Sequence, residues 1–217
     1  TLDAEPAKAV PDLPVVAAAK RRKRVPYWAA GVIALLPLWA VVYVYSVSQP
    51  PKPETDPLVI GKAVYTANCA SCHQADGSGV TTGGSGQQLN EGHAVTTFSD
   101  PLAMAHWIAF GADDGGARSD GTYGDLNRPG GPMNTSTLTA HMPAFGKTLT
   151  PEEIASVIIY IRTEFDKDVY DPKTEKGFTA DGFEADPAAI AAQVQAVIDG
   201  GANGGEPDLS KVTRADS

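Results

Sequence analysis

The chain has 217 residues, of which 42% are hydrophobic and 20% are charged, and its formal net charge at pH 7 is −9. An acidic chain lacks the surplus of Lys and Arg that nucleic-acid binding needs, so we expect no nucleic-acid partner. Its 2 cysteines exclude a disulfide-stapled scaffold and a four-cysteine zinc site.

Charge is distributed unevenly along the chain. Residues 1–24 hold six Lys or Arg against three Asp or Glu, a net charge of +3, and residues 25–47 hold no charge. Residues 48–217 hold eleven basic and twenty-three acidic residues, a net charge of −12. This division predicts a basic N-terminal segment, an uncharged span and an acidic body.

The uncharged span predicts a single transmembrane helix over residues 25–47. Its twenty residues from Trp28 to Val47 carry no charge, and as a helix they extend roughly 30 Å, the hydrocarbon thickness of a bilayer. Pro37 lies in the middle, where a kink is tolerated in lipid. A cleaved signal peptide is the alternative, because Ser46-Val47-Ser48 has the form of a cleavage site, although the apolar run exceeds the usual length of about 7–15 residues.

The basic cluster Lys20-Arg21-Arg22-Lys23-Arg24 predicts the orientation of this helix. Because clustered positive charge stays on the cytoplasmic side, we expect residues 1–24 in the cytoplasm of a bacterial cell. The acidic body would then lie on the periplasmic side of the cell membrane. Residues 48–56 contain three prolines and predict an extended linker that reaches roughly 25–30 Å.

The two cysteines lie in the motif Cys69-Ala-Ser-Cys72-His73. This C-x-x-C-H spacing is the attachment signature of haem c. Two thiols one helical turn apart reach the two vinyl groups of a porphyrin, and His73 then lies beneath the iron as its proximal ligand. A thioredoxin-like redox pair would need a βαβ context, and a zinc site would need a second pair of ligands. The sequence contains neither.

The stretch GKAVYTANCASCHQADGSG, residues 61–79, resembles the first helix and haem-binding turn of class I cytochromes c. The resemblance covers residues 57–167 and implies an all-α, small cytochrome c fold around one covalently bound haem c. It also implies that Gly61 and Tyr65 lie where the first helix crosses the last. Val59, Ala63 and Ala67 repeat at helical spacing along that first helix, with Val64 and Tyr65 beside them.

A second axial ligand has six candidates: Met104, Met133, Met142, His93, His106 and His141. Met142 is favoured because Pro143 stiffens the backbone that carries it. In class I cytochromes c the distal methionine lies in such a Met-Pro segment, ahead of the final helix. Met104 is expected to be a packing residue on a helix that Asp100 caps. His93 is expected to be solvated in a polar loop. His141 is the runner-up and would give a bis-histidine haem of lower potential.

The chain after the haem motif predicts a final helix, an insert and a tail. Thr150, Pro151 and Glu153 form the start of the final helix, with a capping box; its apolar stripe comprises Ile154, Val157, Ile158 and Ile161. Residues 111–140 predict an inserted loop on the distal side of the haem. Arg118 and Arg128 in this loop are candidates to pair with a haem propionate, although a solvated arginine is the commoner case.

Residues 168–217 predict an acidic tail with one short helix. Asp186 caps this helix, which carries Ile190, Val194 and Ile198 and cannot bury its apolar face alone. It docks either on the haem domain or on a partner subunit. From Gly200 onward the composition favours a flexible, solvated tail.

These features predict a membrane-anchored electron-transfer protein rather than an enzyme. We expect it to be a subunit or close partner of a quinol–cytochrome c reductase or a haem-copper oxidase, with an acidic surface that suits a basic docking patch. The alternatives are a cytochrome subunit of a nitric oxide reductase or a dehydrogenase, and a haem-based gas sensor with a labile distal ligand.

Overall fold

The computed structural model describes residues 11–21, 26–47, 55–80 and 86–214. The chain divides into two compact units, residues 1–52 and residues 53–217. The first unit contains helices α1 (Pro14–Arg21) and α2 (Tyr27–Val47). The helices of the second unit are α3 (Pro57–Asn68), α4 (Ala70–His73), α5 (His93–Thr97), α6 (Pro101–Phe110), α7 (Pro151–Tyr160), α8 (Ala180–Ala185) and α9 (Pro187–Asp199). Within the described residues of this unit, strands β1 (Thr122–Tyr123) and β2 (Met133–Asn134) pair antiparallel.

Helix α2 is long and apolar enough to cross a membrane. Its segment Tyr27–Ser46 has a mean hydropathy of 1.9 and buries none of its length. Pro37 lies inside the helix, as expected. A membrane anchor and a signal sequence share these properties. Most of the basic cluster and most of the linker lie outside the described residues.

The second unit is organised around the crossing of α3 and α7. Gly61 makes this crossing possible, because a Cβ there would overlap the Ser156 carbonyl and lie 2.6 Å from the Cβ of Tyr160. Tyr65 is 1% exposed, and its ring lies 5.8 Å from that of Tyr160. The expected roles of Gly61 and Tyr65 are therefore confirmed.

The buried face of α3 differs from the stripe that spacing alone suggested. Val59 is 50% exposed, and Ala63 and Ala67 are also exposed. The inward residues of α3 are Pro57, Gly61, Val64 and Tyr65. The close approach at Gly61 decides this face, since it fixes the side of α3 that meets α7.

Helix α7 begins and packs as the sequence predicts. The Thr150 hydroxyl accepts from the Glu153 amide at 3.2 Å, and the Glu153 carboxylate accepts from the Thr150 amide at 2.8 Å. This capping box satisfies two amides that the helix leaves unpaired at its start. All four residues of the predicted stripe are at most 3% exposed: Ile154, Val157, Ile158 and Ile161.

The chain after α7 packs on the haem-motif unit. Helix α9 contacts α6 and α7, and Ile190, Val194 and Val197 on it are completely buried. Of the two docking alternatives for this helix, the structure therefore shows the first: α9 docks on the unit of its own chain that contains the C-x-x-C-H motif. The Arg162 guanidinium, 0% exposed, pairs with the Glu175 carboxylate, also 0% exposed, and donates to the Phe98 carbonyl at 2.6 Å. Arg162 therefore links the tail, through the ion pair, to the segment between α5 and α6, through the hydrogen bond.

Residues 200–214 are also held, in contrast to the solvated tail that their composition favoured. His106 Nε2 hydrogen-bonds the Ala202 carbonyl at 2.9 Å, and Arg118 Nε donates to Glu206 at 2.9 Å. Asp100 pairs with both Arg214, at 2.6 Å, and Lys176, at 2.9 Å. Each partner lies far away in sequence, which is why composition could not reveal these contacts.

We expect Asp100 to make the stability of the holoprotein depend on pH in acid. Burial alone would raise the pKa of Asp100, but hydrogen bonds from Arg214, Lys176 and the Leu102 amide, together with the charge of Arg214, outweigh burial and hold it below the ordinary value. The stabilisation is therefore complete above the ordinary aspartate pKa of 3.8 and is lost as the pH falls through the lowered value.

Asp100→Asn tests this dependence, because asparagine still caps α6 while it removes the charge. Unfolding free energies measured against pH should show a shallower acid decline in the variant than in the natural chain. Parallel curves would show that these ion pairs do not contribute.

Candidate functional site

The C-x-x-C-H motif forms the end of α3 and the short helix α4. The Cys69 amide donates to the Tyr65 carbonyl at 2.8 Å, and the His73 amide donates to the Cys69 carbonyl at 2.9 Å. This tight turn places both thiols on the wall of one cavity. Both cysteines are unbridged and partly exposed, and burial raises the pKa of the Cys69 thiol to about 11, with a further contribution from Cys72.

His73 lines the same cavity, and a backbone carbonyl fixes its ring. His73 Nδ1 lies 2.7 Å from the Gln87 carbonyl oxygen. A carbonyl only accepts, so Nδ1 carries the proton and Nε2 keeps its lone pair. Burial lowers the pKa of His73, although the hydrogen bond to Gln87 opposes this. The imidazole is therefore neutral and has one nitrogen that can bind a metal.

Met142 reaches the cavity from a segment fastened to the end of α6. The Ala112 amide donates to the Met142 carbonyl at 2.9 Å. Further along, the amides of Phe145 and Gly146 donate to the carbonyls of Ile108 and Ala109, each at 3.0 Å. Three backbone hydrogen bonds thus hold the Met-Pro segment without using its side chains.

The other ligand candidates divide into two groups. Met104, Met133, His93 and His141 line the cavity together with Met142. His93 is exposed, as expected, but it begins α5 rather than lying in a loop. His106 does not line the cavity: it is 1% exposed, and its Nε2 is engaged by Ala202. Three methionines, Met104, Met133 and Met142, thus line the same cavity.

The insert, residues 111–140, forms part of the cavity wall. Tyr123 and Met133 pair across β1 and β2, and both line the cavity. The Tyr123 ring stacks on Trp107 with centroids 4.0 Å apart and 10° between planes. Burial raises the pKa of Tyr123 to about 12, so its hydroxyl stays protonated.

The two arginines of the insert have partners within the protein. Arg118 pairs with Glu206 and donates to the Gly124 carbonyl at 2.7 Å. Arg128 Nη1 donates to the carbonyls of Pro129 and Gly131 in its own loop. Neither arginine is among the residues that line the cavity.

Sequence reasoning missed three contributors to the site. The Gln87 carbonyl has no residue signature, because any amino acid supplies one. The stack of Trp107 on Tyr123 depends on how the insert folds back. Asp113, whose carboxylate lies 2.6 Å from His141 Nδ1, comes from a segment 28 residues away. Only the spacing of Met104 and Trp107 on one helix offered a signal, since residues three apart share a face.

The residues present fit a covalently attached haem. Two thiols one helical turn apart, a neutral imidazole with a free lone pair and a thioether all reach one cavity. Its remaining walls are largely apolar and aromatic: Leu89, Phe98, Trp107, Ile108, Val157 and Ile161. Such walls exclude water and leave a low-dielectric site, the surroundings that a redox cofactor needs.

The site and the helical architecture together define a c-type cytochrome. Residues 58–164 match the family model described as Cytochrome c, and this part of the chain belongs to that family. A cytochrome c domain is an electron carrier and implies covalently bound haem c.

One relative extends the comparison beyond the family. The "Alcohol dehydrogenase (quinone), cytochrome c subunit" of Gluconobacter oxydans (strain 621H) is 31% identical over 102 residues. The match covers 47% of this chain and 17% of that relative. The similarity is therefore confined to less than a fifth of the relative's length.

Proposed function

We propose that this chain is a membrane-anchored, mono-haem electron carrier. Cys69 and Cys72 would hold the haem as thioethers, while His73 and Met142 would ligate the iron from its two faces. Bound there, the haem would accept and release one electron at a time. The observation that carries this proposal is that His73, whose Nδ1 lies 2.7 Å from the Gln87 carbonyl, lines the same cavity as Met142 and both thiols.

The chain's own residues have three tasks in this proposal. Gln87 keeps the proton on His73 Nδ1 and so keeps Nε2 a ligand. The segment that contains Met142, fastened to α6 by backbone hydrogen bonds, presents a thioether, which favours the reduced state and raises the potential. The apolar wall excludes water, so electron transfer proceeds with little rearrangement of solvent.

The anchor would keep this haem domain at the outer face of the membrane. Helix α2 has the length and apolarity of a span, and the basic residues before it favour a cytoplasmic N-terminus. The linker of residues 48–56 is short, so the haem domain would work close to the membrane. These features suit a subunit or companion of a quinol–cytochrome c reductase or haem-copper oxidase.

A dehydrogenase partner is the second candidate. It is favoured by the relative, whose name describes a cytochrome c subunit of a quinone-dependent alcohol dehydrogenase. In that case the same haem domain would take electrons from a catalytic subunit and pass them toward the membrane.

Purification from native membranes in mild detergent tests both partners. We expect a low-spin c-type spectrum with one haem per chain, in a particle that contains either reductase and oxidase subunits or a dehydrogenase subunit. A particle without partner subunits would contradict both assignments. A chain without covalently bound haem would contradict the proposed function itself.

A further inference from the structure

One turn of the insert touches the Met142 segment on one side and the C-terminal part of the chain on the other. This turn comprises Ala112–Gly116. On the first side, the Ala112 amide donates to the Met142 carbonyl at 2.9 Å. The neighbouring Asp113 carboxylate lies 2.6 Å from His141 Nδ1. The turn therefore contacts both the backbone and the side chain of the segment that carries the proposed distal ligand.

The second side of the turn is closely packed against residues 202–206. A Cβ on Gly115 would overlap the Cβ of Ala202. A Cβ on Gly205 would overlap the backbone of Ala117 and Arg118, immediately after the turn. Glu206 adds a hydrogen-bonded ion pair with Arg118 at 2.9 Å.

The 202–206 segment is itself anchored in the core. Its Ala202 carbonyl accepts from Nε2 of His106, a residue of α6 that is 1% exposed. Helix α6 also contributes Met104 and Trp107 to the cavity wall. The segment is thus fixed to α6, and the turn packs against the same helix.

We propose that residues 202–206 are a positioning element, which holds Met142 in ligating position through the Ala112–Gly116 turn. The inference rests on the proposed role of Met142. Because packed protein transmits displacement rather than absorbing it, pushing this segment away displaces the turn. The Met142 carbonyl follows, since the Ala112 amide is bonded to it. The Met142 thioether then spends more time away from the iron.

The glycines of the segment offer a matched pair of variants. Gly204 and Gly205 both have a positive φ, of 66° and 87°, so an alanine is strained at either position. A Cβ on Gly204 meets nothing within 4 Å, whereas a Cβ on Gly205 meets the backbone beside the turn. Comparing Gly205→Ala with Gly204→Ala therefore separates displacement of the turn from backbone strain.

Two spectroscopic measurements on the full-length holoprotein test the proposal. One is the sulfur-to-iron charge-transfer band of the ferric protein, and the other is the rate at which the ferrous protein binds carbon monoxide. We expect Gly205→Ala to weaken the band and to speed carbon monoxide binding on the order of tenfold, which corresponds to ~1.4 kcal/mol. Gly204→Ala should leave both unchanged.

A second pair keeps the test decisive if Gly205→Ala fails to fold. Gly115→Ala creates an overlap with Ala202 alone, so it should weaken the band. Adding Ala202→Gly removes this overlap but not the backbone strain at Gly115, where φ is 99°, so it should restore part of the band. The proposal is overturned if the band survives in Gly205→Ala and in Gly115→Ala, even where thermal stability falls. A natural protein that itself lacks the band would instead overturn the role of Met142, and the positioning role with it.

Discussion

Replacing Met142 with leucine should abolish the sulfur-to-iron charge-transfer band and open the distal side of the haem to carbon monoxide. Leucine keeps most of the volume of methionine but has no lone pair for a metal. The midpoint potential should fall by on the order of 0.1 V, because the thioether favours ferrous iron and axial ligation spans roughly 0.8 V among haem proteins. A redox titration followed by absorbance measures this shift.

Two other methionines of the cavity serve as controls for this experiment. Met104 and Met133 line the same cavity as Met142, and each can be replaced with leucine in the same way. Both variants should keep the band and a potential close to that of the natural protein. If Met133→Leu loses the band while Met142→Leu keeps it, the insert rather than the Met-Pro segment supplies the ligand.

Replacing Glu175 with glutamine should cost about 3–5 kcal/mol in the free energy of unfolding. The carboxylate and its partner Arg162 are both 0% exposed, and removing one member of a buried pair leaves the other charge without compensation. In a unit of this size, the loss corresponds to a fall of roughly 6–20 °C in melting temperature. Thermal unfolding of the holoprotein, followed by far-ultraviolet circular dichroism, measures it.

Glu206→Gln is the matched control for this effect. Glu206 also pairs with an arginine, but its side chain is 54% exposed, so its loss should cost less than ~1 kcal/mol. In addition, replacing both Arg162 and Glu175 with apolar residues should recover part of the stability, because no buried charge then remains. Equal losses in Glu175→Gln and Glu206→Gln would contradict the role assigned to the buried pair.

The amino-acid sequence alone determined the features that depend on neighbours in the chain. The C-x-x-C-H spacing places two thiols and an imidazole on one helical turn, wherever that turn lies. Thr150 and Glu153 cap α7 because a capping box needs only four consecutive residues. The apolar run of residues 27–46 likewise predicts a long apolar helix, which the structure forms as α2. Each of these is a local property that tertiary context leaves unchanged.

Helical periodicity was less reliable on α3. Spacing drew attention to Val59, Ala63 and Ala67, all of which are exposed in the structure. Alanines are too small to determine a buried face, since they lose little by being exposed. The crossing at Gly61, where two backbones approach too closely for any Cβ, selects the buried side. That choice needs the partner helix, which the periodicity of one segment does not contain.

Tertiary structure alone decided how the C-terminal region packs and what holds the proposed haem ligands in place. A stretch rich in Gly and Asp carries no sign of its partners, yet Ala202, Glu206 and Arg214 contact residues 88 to 114 positions earlier in the chain. Gln87 acts through its backbone carbonyl, a group that every residue possesses. The sequence thus specifies which side chains can hold a haem. Long-range packing specifies what holds those side chains in place, because its energy comes from surfaces that meet only after folding.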